Sequence, residues 1–254
     1  MLIKNNWQQR IDQHEKKKTL LLNFLAEECY SDVPTLMKVI NVKQRSTLDK
    51  MLRTLINLGL IRKFIFELKP NEKISTWGIT RNGLTNIRND YALDGLNHFV
   101  PSRIIESTVT KKLLTQKIKM RMEALCCTGY IAGNQKNKRY FPTEYLPTAY
   151  IKLTNDMPIV IEADVRIKSS LRYKQIILQH LLARNQKHWH YVLFVTVDIY
   201  KKAAITRAIN NIDHVTHRGI KRSVDKSDKN IFKIHTLEEI QNLKLTEVFG
   251  RVTS

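Results

Sequence analysis

Two carboxylates separated by one residue, Glu162 and Asp164, have the types and spacing best suited to chemistry in this sequence. They lie in PIVIEADVRIK, where apolar and polar residues alternate, so the segment predicts a β-strand with both acids on one face. Two negative charges on one face repel each other, and a divalent cation between them would relieve the repulsion, since Mg²⁺ prefers oxygen ligands. Beside a basic surface, such a cation suggests phosphodiester cleavage. The alternative is a strand with a solvated polar face, in which Arg166 and Lys168 simply continue the alternation.

The surrounding pattern predicts the elements that position this pair. Asn155 and Asp156 predict a tight turn between two strands, the first of which follows Pro147. Ser169 or Ser170 can cap a helix after the second strand. Residues 107–130 predict a long helix before the hairpin, and the apolar run 190–198 predicts a buried central strand. The order α-β-β-α-β-α-β predicts a mixed sheet with helices on its faces.

The charge of the chain indicates an anionic partner. The 254 residues include 43 Lys and Arg against 23 Asp and Glu, which gives a net charge of +20. A folded protein this basic is expected to neutralise phosphates, and its binding should be strongly salt-dependent. No stretch approaches the roughly 20 apolar residues of a spanning helix, so we expect no membrane insertion. The absence of a signal-peptide pattern and of a disulfide or zinc spacing among three cysteines favours the cytoplasm.

The first ninety residues predict a winged helix, which is a variant of the helix-turn-helix. A helix at 19–30 is followed by a second, capped by Ser31 or Asp32, and by a third with a capping-box spacing at Ser46 and Asp49. Two strand-like runs and a helix near Arg81 complete the pattern. A recognition helix must present donors to base edges and phosphates, and the third helix presents such residues away from the core. These residues are Gln44, Arg45, Thr47, Lys50 and Arg53, and Lys69 and Lys73 at the tip of the wing extend the predicted DNA surface. The alternative is a winged helix used only for contacts with protein.

We predict an α/β (α+β) fold with three segments. Residues 1–92 form the winged-helix domain, 93–110 a linker, and 111–254 the mixed-sheet domain. Lys111 and Lys112 on the long helix, with the lysines that follow them, are either a solvated face or a track for the DNA backbone. His214 and His217 lie in a basic stretch that we interpret as flexible, and we interpret them as surface residues rather than metal ligands.

The helix, the hairpin with its acidic pair, the next helix and the buried strand together resemble the PD-(D/E)xK restriction-endonuclease-like core. With the winged helix, FVPSRI, L-x-x-Q on the long helix, a Pro-led first strand and IEADVRIKSSLRY, most of the chain resembles the MOBC class of plasmid mobilization relaxases and the related replication-relaxation proteins. The resemblance implies an endonuclease that uses Mg²⁺ or Mn²⁺ to nick one strand of double-stranded DNA at a plasmid transfer origin. It also implies contact with other relaxosome or coupling proteins. It leaves the oligomeric state and the DNA sequence open.

The resemblance also implies roles for individual residues. Glu162 and Asp164 match the E-x-E metal pair, Glu123 matches an acid on the preceding helix, and Lys168, Arg172 and Tyr173 match a K-S-x-x-R-Y continuation. The implied catalytic residues are therefore Glu162, Asp164, Glu123 and Lys168, and Arg172 joins the DNA-binding residues.

Two positions depart from the family pattern. Thr148 stands where the pattern leads us to expect an aspartate, and Lys111 stands where it suggests a histidine. Glu144 is a candidate substitute for the missing acid, so the implied metal ligands are Glu162, Asp164, Glu144 and Thr148. These departures leave an alternative open, which is a sequence-specific DNA-binding relaxosome accessory protein or repressor with a degenerate nuclease domain.

Overall fold

The computed structural model describes residues 2–69, 71–87, 97–125, 127–142, 145–153, 155–242 and 248–249. The chain divides into two compact units, Met1–Leu113 and Leu114–Ser254. The expected α/β composition is confirmed, because helices accompany a five-stranded sheet that mixes parallel and antiparallel pairs. Within these ranges no helix combines the length and the apolar character that crossing a membrane requires.

The first unit contains helices and a ribbon in the predicted order, but its first helix begins at Leu2 and not at residue 19. Its helices α1 to α4 and its strands β1 to β3 form a small α/β arrangement, in which β3 pairs with both β1 and β2. Their bounds are α1 Leu2–Glu28, β1 Tyr30–Ser31, α2 Val33–Val39, α3 Arg45–Asn57, β2 Ile61–Lys69, β3 Glu72–Ile79 and α4 Arg81–Ile87.

Local signals explain where α2 and α3 begin and end. The Asp32 side chain accepts a hydrogen bond from the backbone N of Thr35 at 3.0 Å, so the predicted cap of α2 is confirmed. The capping box at Ser46 was wrong, because α3 begins one residue earlier and its N-cap, Gln44, makes no side-chain cap. Gly59 follows α3 with φ +68°, a left-handed conformation that glycine adopts without strain.

The first unit extends beyond the predicted boundary at residue 92, because Phe99 is fully buried in it. The Phe99 ring lies 5.3 Å from that of Tyr30, measured between centroids, and its backbone N donates to O of Ile79 at 2.7 Å. A Cβ at Gly78 would lie 2.1 Å from Phe99, so the glycine makes room for this ring. Val109 and Leu113 join the same cluster. The described part of the predicted linker, 97–110, therefore belongs to the first unit, while 88–96 lies outside the described residues.

The second unit is organised around the five-stranded sheet. The strand order is β10-β7-β6-β5-β4, where β4, β5 and β6 are antiparallel neighbours and β6, β7 and β10 are parallel. A separate pair, β8 and β9, forms a two-stranded ribbon. Helix α5, Glu106–Ala124, begins in the first unit and continues into the second, and a 3-10 turn at Pro101–Arg103 belongs to the first unit. The bounds of the later elements are β4 Thr128–Ala132, β5 Ala149–Lys152, β6 Pro158–Asp164, α6 Ser170–Asn185, β7 Tyr191–Thr196, α7 Ile199–Asn210, β8 His214–His217, β9 Ile220–Ser223, α8 Lys226–Lys229, β10 Phe232–Thr236 and α9 Leu237–Asn242, with a short 3-10 turn at Gln135–Tyr140.

Strand β6 separates two apolar clusters. Ile159 and Ile161 pack with residues of α5, including Ile118, in one cluster. Val160, on the other face of the strand, packs with residues of α6 such as Ile177. Because side chains alternate along a strand, Glu162 and Asp164 share the α6 face with Val160.

Three sequence-based interpretations of this unit were wrong. The long helix ends at Ala124 and strand β4 follows it, whereas the pattern predicted a helix to residue 130. Strand β6 ends at Asp164, so the predicted alternation to Lys168 stops early and Ile167 is 58 % exposed. His214 and His217 are the first and last residues of β8, which is an ordered strand rather than a flexible stretch.

Candidate functional site

The two carboxylates lie together on one strand face, as predicted, but that face is covered. Glu162 is 2 % exposed and Asp164 is 3 % exposed. Ala149 on β5 pairs with Ile161 on β6, which places Thr148 beside Glu162 on the neighbouring chain segment. The Thr148 hydroxyl accepts a hydrogen bond from the backbone N of Ala163 at 2.9 Å, so it is held against the strand.

Among the described residues, two side chains contact the Glu162 carboxylate. His180, a fully buried residue of α6, places its Nε2 atom 3.0 Å from Oε1 of Glu162. Burial, and next the charge of Glu162, raise the pKa of Tyr145 far above its ordinary value, so this phenol stays protonated and donates to Glu162. The Arg172 guanidinium lies 5.7 Å from the centroid of the Tyr145 ring and works weakly in the opposite direction. The Glu162 carboxylate is therefore satisfied by an imidazole and a phenol.

Asp164 has a separate pair of partners nearer the end of the strand. The Lys168 ammonium forms an ion pair with its Oδ1 atom, and the hydroxyl of Tyr173 lies 3.4 Å from its Oδ2 atom. Burial raises the pKa of Tyr173, so the phenol keeps its proton and donates to the carboxylate. The positive charge of Lys168 balances the negative charge of Asp164, which removes the repulsion that suggested a bound cation.

The metal ligands that the sequence predicts are only partly represented among the described residues. Mg²⁺ requires near-octahedral oxygen ligands, and both carboxylates already have protein partners. Over the described ranges, no group of three or more His, Cys, Asp and Glu residues is placed to hold a metal ion. Glu123 is exposed on α5, whose apolar side packs on the opposite face of the sheet from Glu162 and Asp164. Glu144 lies outside the described residues.

Sequence reasoning missed His180 and Tyr145, which complete the site. One signal for His180 was present, because it follows Tyr173 by seven residues on α6 and thus shares the buried stripe of that helix. A histidine on such a stripe needs a polar partner, and Glu162 on the adjacent strand supplies it. No comparable pattern pointed to Tyr145, which lies in an irregular segment.

The predicted DNA surface on α3 has the expected exposure. The buried side of the helix consists of Leu48, Met51, Leu52 and Leu55. The opposite side leaves all five predicted contact residues exposed, namely Gln44, Arg45, Thr47, Lys50 and Arg53. On the exposed side, Nε of Arg45 forms an ion pair with Oδ2 of Asp49 at 3.6 Å. Such an exposed pair is weak and can open for a phosphate.

The other predicted DNA-binding residues differ in their exposure and in their ion-pair partners. Lys73 pairs with Glu67 at 2.6 Å, and the hydrogen bond and charge of Lys73 lower the pKa of that carboxyl. Lys112 pairs with Glu28 at 2.6 Å, so its ammonium stabilises the first unit. Lys111 and Arg172 are exposed, and the side chain of Lys69 lies outside the described residues.

Comparisons with protein-family models, with curated proteins and with solved structures found no match to this chain. Function is therefore inferred from the geometry of α3 and of the Glu162 and Asp164 cluster.

Proposed function

We propose that this chain is a duplex-DNA-binding protein in which α3 reads the DNA. The observation that carries the proposal is the division of α3 into two sides, one fully buried and one rich in exposed hydrogen-bond donors. Three of those donors, Arg45, Lys50 and Arg53, are cationic. Helix-turn-helix folds place their recognition helix in the major groove. α3 follows two helices and precedes a two-stranded ribbon, which is the position of the recognition helix in a winged helix.

The overall charge supports the same partner. A net charge of +20 attracts a phosphate backbone at long range, and counterion release makes such binding tight at low salt. Phosphate contacts position a protein on DNA, whereas donors such as Arg45 and Gln44 can distinguish bases in the major groove. We therefore expect α3 to supply sequence preference and the rest of the basic surface to supply affinity.

The test replaces Arg45 and Lys50 by alanine in the full chain. The parent should first select its preferred duplex from a random library, and affinity for that duplex is then measured by fluorescence anisotropy. Each substitution should weaken binding by about 1–3 kcal/mol if its side chain contacts a base edge. Arg10 and Lys16, both exposed on α1, provide a control pair with the same loss of charge. A parent that binds no duplex refutes the proposal, and equal losses in both double variants refute the role of α3.

A second candidate function is metal-dependent nicking of one DNA strand at a plasmid transfer origin. The observation that favours it is the order β5, β6, α6, β7 with Thr148 beside Glu162 and with Asp164 and Lys168 beyond them, which is the layout of the family that the sequence resembles. Contact with other relaxosome or coupling proteins and a cytoplasmic location belong to this proposal. Because the described residues form no metal centre, we assign no chemical step to them.

Relaxation of supercoiled plasmid separates the two functions. The parent, Glu162→Gln and Thr148→Asp should be compared with Mg²⁺, with Mn²⁺ and with EDTA, on plasmids with and without a transfer origin. The nickase is supported if the parent nicks plasmid with metal and Glu162→Gln abolishes the nicking while its affinity for duplex DNA persists. An inert parent together with an inert Thr148→Asp would leave DNA binding as the function.

A further inference from the structure

The β8–β9 ribbon is built as a short, well-defined hairpin. His217 pairs with Ile220, so the loop between the strands consists of Arg218 and Gly219 alone. Both residues have positive φ, +50° and +80°, as a type I′ turn requires. The turn matches the right-handed twist of the strands, and it therefore holds the ribbon in one conformation.

The base of the ribbon is fixed to the second unit. Val215 and Val224 are 1 % and 4 % exposed and belong to the cluster formed by α6 and α7. The backbone N of Val224 donates to O of Asp213 at 2.9 Å, which closes the base of the hairpin. Arg222 donates from Nη2 to Oδ1 of Asp228 at 3.2 Å. These contacts make the ribbon a rigid projection rather than a loose loop.

The tip of the ribbon is exposed and carries only positive charge. Every residue from Thr216 to Lys221 is exposed, and the whole segment 214–223 contains no acid. Arg218 and Lys221 are the cations of the tip. Ile220 lies between them in the sequence and is 73 % exposed.

We propose that the basic ribbon, residues 216–221, is a second DNA-contacting element that enters a groove of the duplex. The major groove is about 12 Å wide and admits a two-stranded ribbon as readily as a helix. Arg218 and Lys221 match phosphate oxygens and guanine edges, and Ile220 matches the methyl group of thymine. The charge of the tip selects a polyanion, and its narrow projecting shape suits a groove better than a flat lipid surface. This inference rests on the proposed function in one respect, since it assigns the ribbon the same duplex partner.

The test removes the two charges and keeps the turn. Arg218→Asn places Asn before Gly219, which is the preferred type I′ pair, and Lys221→Gln keeps a polar side chain only one atom shorter. The full chain carrying both changes is titrated with the selected duplex between about 50 and 200 mM salt, where each lost phosphate contact reduces the slope of log affinity against log salt by about 0.9. We expect the slope to fall by roughly 1.8 if both contacts are to phosphate.

Two control variants make this result specific. Lys152→Gln with Lys187→Asn removes two exposed charges elsewhere in the second unit, and Asn suits the positive φ of 62° at Lys187. That pair should leave the slope unchanged. Arg218→Lys with Lys221→Arg keeps the charge of the tip and should keep the slope of the parent.

Each outcome decides one question. If Arg218→Asn with Lys221→Gln changes neither the slope nor the affinity for the selected duplex, while the parent binds DNA and the α3 variant binds it more weakly, the ribbon is overturned and the proposed function stays intact. A parent without duplex affinity overturns both. If the ribbon variant loses sedimentation with phosphatidylserine vesicles but keeps the DNA slope, the ribbon contacts lipid and the inference is wrong.

Discussion

Replacing His180 by leucine should destabilise the second unit strongly, because it leaves the Glu162 carboxylate buried without its imidazole partner. The two residues are 0 % and 2 % exposed, so water cannot replace the lost hydrogen bond unless the structure opens. The 3.0 Å contact between Nε2 and Oε1 joins α6 to the middle of the sheet. The substitution therefore tests a contact between two main elements of the unit.

The structure sets the size of the effect. Leaving a buried carboxylate without one of its hydrogen-bond partners costs roughly 3 kcal/mol or more, because the group stays desolvated without that partner. Tyr145 still donates to Glu162 in this variant, so we expect the lower end of that range. Replacing both Glu162 and His180 by leucine removes the charge as well. The double variant should then lose only about 1–3 kcal/mol, mainly because the Tyr145 hydroxyl has lost its acceptor.

Urea unfolding of the full chain, followed by far-UV circular dichroism, measures these differences. Trp189 lies 5.8 Å from His180 between ring centroids, so its fluorescence would change directly with the substitution and is less suitable. The double variant should be more stable than His180→Leu by about 1–2 kcal/mol. A cost below about 1 kcal/mol for His180→Leu, or single costs that simply add in the double variant, would refute this account of the pair.

Two further predictions concern local geometry. Gly83→Ala should lower the stability of the first unit by about 1–3 kcal/mol in thermal unfolding, because the new Cβ would lie 2.1 Å from the backbone O of Leu60. Thr85→Ala, on the exposed side of α4, is the control. An equal loss of stability in both variants would contradict this reasoning. Loss of water around His214, and then the charges of Lys174 and Lys221, hold the pKa of its imidazole below the ordinary value. Lys221→Gln should therefore raise this pKa, which an NMR titration of the imidazole measures. An unchanged pKa would show that His214 and Lys221 do not interact.

Local sequence signals predicted most of the elements in the first unit. The sequence predicted α3 with its hydrogen-bond donors turned away from the core, and Asp32 predicted the start of α2. The turn at Asn155 and Asp156 was also predicted correctly, and Asp156 has a φ of +58°. These features depend on residues close in sequence, which is why the sequence alone reveals them.

Contacts between distant residues account for what the sequence did not reveal. Alternation shows that Glu162 and Asp164 share a face of β6, but a face that meets solvent and a face that meets α6 have the same pattern. The partners of Glu162 follow from the way α6 packs on the sheet, which places His180 eighteen positions away beside it. Phe99 likewise joins the first unit only because Gly78 leaves space for its ring.

The position of β10 has a consequence for synthesis of the chain. β10 completes the sheet by pairing with β7, and Phe232 and Ile234 are the partners of Val192 and Phe194. Until the ribosome has added those residues, the nascent chain carries an apolar strand with one unpaired backbone edge. At roughly 5–20 residues per second the interval between β7 and β10 lasts a few seconds. Translation that stops within this interval should release a polypeptide prone to edge-to-edge aggregation, whereas a pause after β10 should not.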